Sequence, residues 1–166
     1  MGPKIVFSCL LLASLVLSSL AYNDYYYNIT ITTSPVSQAK FDSQEGNLKI
    51  KLRGINMQLV DGVQDFTLTS TPVALKNGAS WSFPIQTEIA FERLQAIELR
   101  WTLKSPFNPM YLVSKPKIFF EPILTSISYI EFGVKRQVFK QFCAERIPQA
   151  IEHSETKLFR PCPIYI

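Results

Sequence analysis

Ile97-Glu98-Leu99-Arg100-Trp101-Thr102-Leu103-Lys104 alternates apolar and polar residues without a fault. Leu48-Lys49-Ile50-Lys51-Leu52-Arg53 does the same with basic residues at every second place. An extended chain turns successive side chains to opposite faces, so each run places one face in a core and the other in water. That is the signature of a half-buried antiparallel strand, and it constrains the fold more than any other feature of the chain.

Weaker strand candidates are Tyr25–Thr33, Val63–Ser70, Ser80–Gln86, Lys117–Glu121, Ser126–Glu131 and Lys135–Phe142, all with β-branched or aromatic residues. Turn signals separate them: Ser34-Pro35, Gly54, Asp61-Gly62, Thr71-Pro72, Asn77-Gly78, Ser105-Pro106, Asn108-Pro109 and Gly133. No long amphipathic helix is evident. The best helical fragment, Ala144 to His153, is interrupted by Pro148. About eight short strands with frequent turns predict an all-β, eight-stranded antiparallel β-sandwich. No repeat, low-complexity segment or linker divides the chain.

The N-terminus reads as a signal peptide over residues 1–21. Lys4 is followed by the apolar run Ile5 to Leu20, and Ser19-Leu20-Ala21 supplies small residues at −3 and −1. The run is shorter than the ~20 residues of a spanning helix, which favours cleavage after Ala21. No comparable apolar run follows, so residues 22–166 are expected to form a single domain with no transmembrane segment, secreted to an extracellular setting. Removing Lys4 lowers the formal charge from +4 to +3, with basic residues scattered among acids. That balance makes no case for nucleic acid. The cut also removes Cys9 and leaves only Cys143 and Cys162, which implies one disulfide in an oxidising compartment. In the chain-entropy picture a loop of about 20 residues closed this way gains roughly 3 kcal/mol. Asn28-Ile29-Thr30 is an N-glycosylation sequon.

Catalytic machinery is not visible. A nucleophilic hydrolase needs a base and an orienting acid beside its nucleophile. The lone histidine, His153, stands between Glu152 and Glu155 in the loop bounded by the cysteines, where a solvated side chain is expected. The chain has no nucleophile elbow and no glycine-rich phosphate loop. One histidine and two disulfide-bonded cysteines leave no transition-metal set. Asp42, Glu45, Asp61 and Asp65 match no calcium-loop spacing and read as solvated carboxylates. The expectation is therefore a protein that is not an enzyme and has no cofactor or metal.

Gly46 to Gly54 resembles the second strand of a PLAT (lipoxygenase-homology) domain, an alternating strand that ends in a glycine-containing turn. Glu92 to Trp101 is similar to the central strand in the C-terminal domains of pancreatic and lipoprotein lipases, which closes on tryptophan. A variable loop, Ser105 to Ser114, the strand Lys117 to Glu121, and then Phe142-Cys143 and Pro161-Cys162 follow in the family's order. The resemblance spans roughly Tyr25 to Cys162, and the order of these pieces is its informative part. It implies an eight-stranded sandwich and a disulfide that secures the last strand, Leu158 to Pro161. The lipase catalytic domain has no counterpart here, so the resemblance implies the binding role alone.

In those lipases the module engages a lipid surface or a protein cofactor, and the loop after the tryptophan-ending strand carries aromatic residues. The matching residues are Phe107, Met110 and Tyr111, expected to touch a lipid surface or a secreted protein partner. The alternative is that they fold back and cap the sandwich, in a structural or interaction protein that binds no lipid. Trp101 lies at the inward phase of its strand and is expected in the core. The run Tyr25-Tyr26-Tyr27 is expected to bury alternate rings.

Overall fold

The structure, a computed structural model, describes residues 25–35, 43–56, 58–105, 107, 109–112 and 115–163. The expected signal peptide and Asp42 lie outside them. Eleven strands are present among the described residues: β1 Tyr25–Thr32, β2 Ser43–Asn56, β3 Asp61–Thr67, β4 Val73–Lys76, β5 Ser80–Thr87, β6 Ile89–Leu103, β7 Lys117–Phe120, β8 Ile123–Glu131, β9 Val134–Cys143, β10 Gln149–Glu152 and β11 Thr156–Pro161. All pairings are antiparallel.

The hydrogen-bonded path runs β3-β2-β6-β11-β9-β8-β1-β5, with β4 beside β2, and β7 and β10 form a separate pair. The path has the expected number of strands, but the candidate Lys117–Glu121 forms β7 off it, and the C-terminal strand β11 stands in the path instead. β4 and β10 are the short strands that the pattern missed: β4 continues the edge that β3 leaves, and β10 joins β7. β11 makes the corner between the two layers. Its first half pairs with β6 from Thr156 to Phe159, and its second half pairs with β9 at Arg160 and Pro161. The outer edges nearly meet, because Gln64 of β3 accepts hydrogen bonds from the Thr87 hydroxyl and the Glu88 amide at the end of β5. Pro84 is accommodated because β5 is an edge strand whose other side needs no donor.

The alternating runs behave as their pattern dictates. Leu48, Ile50 and Leu52 of β2 and Ile97, Leu99 and Trp101 of β6 point into one core with Ile29, Ile31, Phe120, Phe142 and Phe159. On the other face Arg53 pairs with Glu98 at 2.6 Å and Lys51 with Asp65 at 3.5 Å. Tyr27 is buried and donates to the Ile89 carbonyl, while Tyr26 is exposed, as alternation requires. The Trp101 indole donates to the Ile151 carbonyl at 2.8 Å.

Three local expectations are corrected. Asp61-Gly62 is not a turn but opens β3, opposite Ile55 and Gly54 of β2. Gly54 is not a turn; it lies inside β2, where the register with β6 shifts on either side of it. A Cβ there would stand 2.6 Å from the Arg93 carbonyl oxygen and from the Ile89 Cγ2, so glycine serves close strand approach at a bulge. Ala144 to His153 is not helical. Pro148 withholds a donor, and Gln149–Glu152 instead pairs with β7, burying Ile151 and bringing Glu152 to 3.0 Å from Lys117.

Candidate functional site

The sandwich has two ends, distinguished by strand direction. At the end where β1 begins lie the β2–β3 loop, the β5–β6 turn and the β8–β9 turn. At the opposite end, β6 runs out into the segment that carries Phe107. Phe107 is 94% exposed. Tyr111 belongs to a 3-10 turn, Pro109–Leu112, and packs half-buried against the core. The two aromatic residues thus differ in role: Tyr111 roots the segment and Phe107 projects from it. The Met110 side chain lies outside the described residues. Asn28 is exposed on β1 between β5 and β8.

A second projection stands at the other end. β8 and β9 pair in unbroken register from Ile123↔Phe142 to Glu131↔Val134. β1 accompanies β8 only from Leu124 to Ser126, so the rest of the hairpin leaves the sheet as a free two-stranded ribbon. Its two-residue turn is Phe132-Gly133, with φ of 50° and 76°. Positive φ at both places is the type I′ geometry that suits the right-handed twist of a hairpin. Gly133 adopts it without strain. Phe132 does not, since a bulky residue with a Cβ is an outlier in the left-handed region.

No packing inside the fold compensates for that conformation, because Phe132 is 97% exposed. Behind it Ile130 is 77% exposed, and Val134, Val138 and Phe139 are also exposed. Cross-strand neighbours share a face, so Tyr129, Arg136, Glu131 and Val134 occupy one side, with Ile130 and Lys135 on the other. Arg136 bonds Glu131 at 3.2 Å. The β2–β3 loop at this same end carries Leu59, also at positive φ and 72% exposed.

Farther back, the ribbon is anchored. The Lys140 ammonium donates to the Leu94 carbonyl at 2.6 Å and lies 5.5 Å from the centroid of the Phe142 ring. Burial pulls its pKa below that of a free lysine, with Glu92 opposing.

His153 is not the solvated side chain expected. Its Nδ1 accepts the Leu103 amide at 3.0 Å, and its ring meets Trp101 edge-on at 5.9 Å. An accepting Nδ1 places the proton on Nε2, which faces the Ser154 hydroxyl at 3.2 Å. In this tautomer Nε2 holds a proton and is no base for Ser154. Partial burial, then Arg100 and Lys115, lower the imidazole pKa below 6.5. Among the described residues no three histidine, cysteine, aspartate or glutamate side chains group to hold a metal. Glu45 and Asp65 are ion-paired with lysines.

Comparison with solved structures returns lipoxygenases. An engineered lipoxygenase, Delta413-417:GS LOX, superposes with a TM-score of 0.54 at 13% identity, covering 84% of this chain and 17% of its own. The same enzyme in an anaerobic complex with arachidonate gives the same values, as does its I805W variant. The chain shares its fold with part of the lipoxygenase chain. It spans about 17% of the length of those enzymes. Neither a family model nor a curated protein sequence matches it.

Sequence reasoning singled out Phe107 but passed over Ile130, Phe132 and Val134. Ile130-Glu131-Phe132-Gly133-Val134 reads as strand, turn and strand, which it is. A usable signal was the phenylalanine directly before Gly133, where an I′ turn prefers asparagine, aspartate or glycine.

Proposed function

We propose that the chain is a secreted, non-catalytic binding module of PLAT type that engages a lipid surface through the β8–β9 hairpin. Phe132 carries this reading: a large aromatic residue held at positive φ and almost wholly exposed, at the apex of a ribbon with other apolar residues behind it. Each such side chain moved from water into the acyl boundary contributes on the order of 1.5–3 kcal/mol. Lys135 follows the tip by one turn of the pleat, where a cation contributes about 1 kcal/mol on an anionic membrane, while Arg136 beside it is paired with Glu131. The antiparallel sandwich shared with part of the lipoxygenase chain is consistent with a module whose chemistry, in a larger enzyme, would reside elsewhere. The contact proposed is interfacial, and no helix among the described residues is long and apolar enough to cross a membrane.

Exposure of Phe107 favours a second reading, in which the segment at the opposite end makes the contact or binds a secreted protein partner. Co-sedimentation of residues 22–166 with phosphatidylcholine–phosphatidylserine vesicles separates them. Ile130→Ser with Phe132→Ser is expected to lower the bound fraction at least ten-fold, and Phe107→Ser to leave it within two-fold. The opposite pattern assigns the contact to the Phe107 segment, and no sedimentation of the parent chain rejects lipid binding. Asn28, exposed on β1, is proposed to carry the glycan of the secreted form, which a mobility shift on glycosidase treatment tests.

A further inference from the structure

A cleft of about 620 Å³ lies beside the disulfide, between the segment that follows β9 and the strand β11. Arg146 enters it from the first wall and Arg160 from the second. Neither guanidinium has an ion pair or hydrogen bond among the described residues, and both are exposed. The acids nearby are engaged: Glu155 bonds Lys157 at 2.5 Å, and Glu98 bonds Arg53. Glu145 is the remaining acid at the cleft and bonds neither arginine. Two arginines on separate elements, neither of them ion-paired among the described residues, therefore line one concavity.

We infer that this cleft binds the phosphate or sulfate group of an organic ester. A guanidinium offers parallel N–H donors that match two oxygens of a tetrahedral oxyanion, and two of them complement a doubly charged one. The volume exceeds what a bare anion fills. Ala144, Leu158, Pro161 and Pro163 give the cleft an apolar part for the organic portion of the ester. Leu158 is 38% exposed there.

The disulfide gives the site its geometry. Cys143 closes β9 and lies opposite Arg160 in the strand register. Cys162 follows β11, and its amide bonds the Gln141 carbonyl at 2.9 Å. The bond brings the two Cα atoms to 4.9 Å, so the walls that bear the arginines are joined covalently at their base. Fixing the walls before binding removes part of the ordering cost of association. The site stands about 30 Å along β9 from the Phe132 tip, so it is independent of the hairpin's proposed lipid contact.

The test is amide NMR titration of residues 22–166 with four probes: inorganic phosphate, glycerol 3-phosphate, dihexanoyl phosphatidic acid below its micelle concentration, and a sulfated disaccharide. The expected result is shifts confined to 143–149 and 157–163, with at least one ester binding more tightly than inorganic phosphate. Arg146→Gln with Arg160→Gln should weaken that ester at least ten-fold. Lys49→Gln with Arg100→Gln removes the same charge from the outer face of β2 and β6 and should change it less than two-fold. Preference for phosphatidic acid assigns a lipid headgroup, and preference for the disaccharide a sulfated glycan. Absence of localised shifts with every probe, inorganic phosphate binding as tightly as the esters, or equal losses in the two double variants would overturn the inference. All four arginine and lysine positions are surface sites, and unchanged thermal unfolding of the variants verifies that loss of binding is not loss of fold.

Discussion

Single residues reveal where this fold is tight. Gly54 is enclosed by the Arg93 carbonyl and Ile89 at a register shift, and a methyl group has no room there. Gly54→Ala should cost about 1–3 kcal/mol, read as a lower denaturant midpoint with an unchanged slope. His153 is a different kind of constraint, an imidazole that must stay neutral to accept the Leu103 amide. Its folded pKa is depressed, so the unfolded chain binds the extra proton. The stability it contributes is therefore present above pH 6.5 and is lost as pH falls from 6.5 through the folded pKa. Urea unfolding at stepped pH should show this loss. His153→Gln should be about 1 kcal/mol less stable at pH 7.5 and should lack that component of the fall just below pH 6.5.

Elements show what was legible in the sequence and what was not. β2 and the second half of β6 were legible because period-2 alternation is itself the cause of their packing. β4 and β10 were not, since four residues carry too little pattern and only a partner strand makes them extended. Gly54 read as a turn because a glycine after an alternating run commonly ends it, and only the neighbouring β6 backbone shows why the strand continues. The hairpin strands were visible, but their exposure was not, since it depends on β1 parting from β8 beyond Ser126. Phe132 gives the hairpin a definite trade-off. Phe132→Asn places a residue suited to positive φ in the turn and should raise stability by about 0.5–1 kcal/mol while lowering vesicle binding. Replacing Cys143 and Cys162 together by serine should cost roughly 3 kcal/mol in thermal or denaturant unfolding.

The whole molecule is a nearly closed stack whose ends differ. A side-chain hydrogen bond between Gln64 and Thr87 links its edges, its core is continuous from β1 to β11, and its most exposed apolar groups, Phe107 and Phe132, stand at opposite ends. The fold class followed from alternation alone, whereas the choice between the Phe107 and Phe132 ends required the strand order. The direct test of the central claim is depth-dependent quenching. Phe132→Trp is mixed with phosphatidylcholine–phosphatidylserine vesicles whose acyl chains carry bromine, with the parent chain correcting for Trp81 and Trp101. Insertion of the hairpin predicts a blue-shifted, bromine-quenched emission from position 132 and none from the matching Phe107→Trp variant. An emission at position 132 that neither shifts nor quenches, on vesicles that the protein binds, would contradict the account.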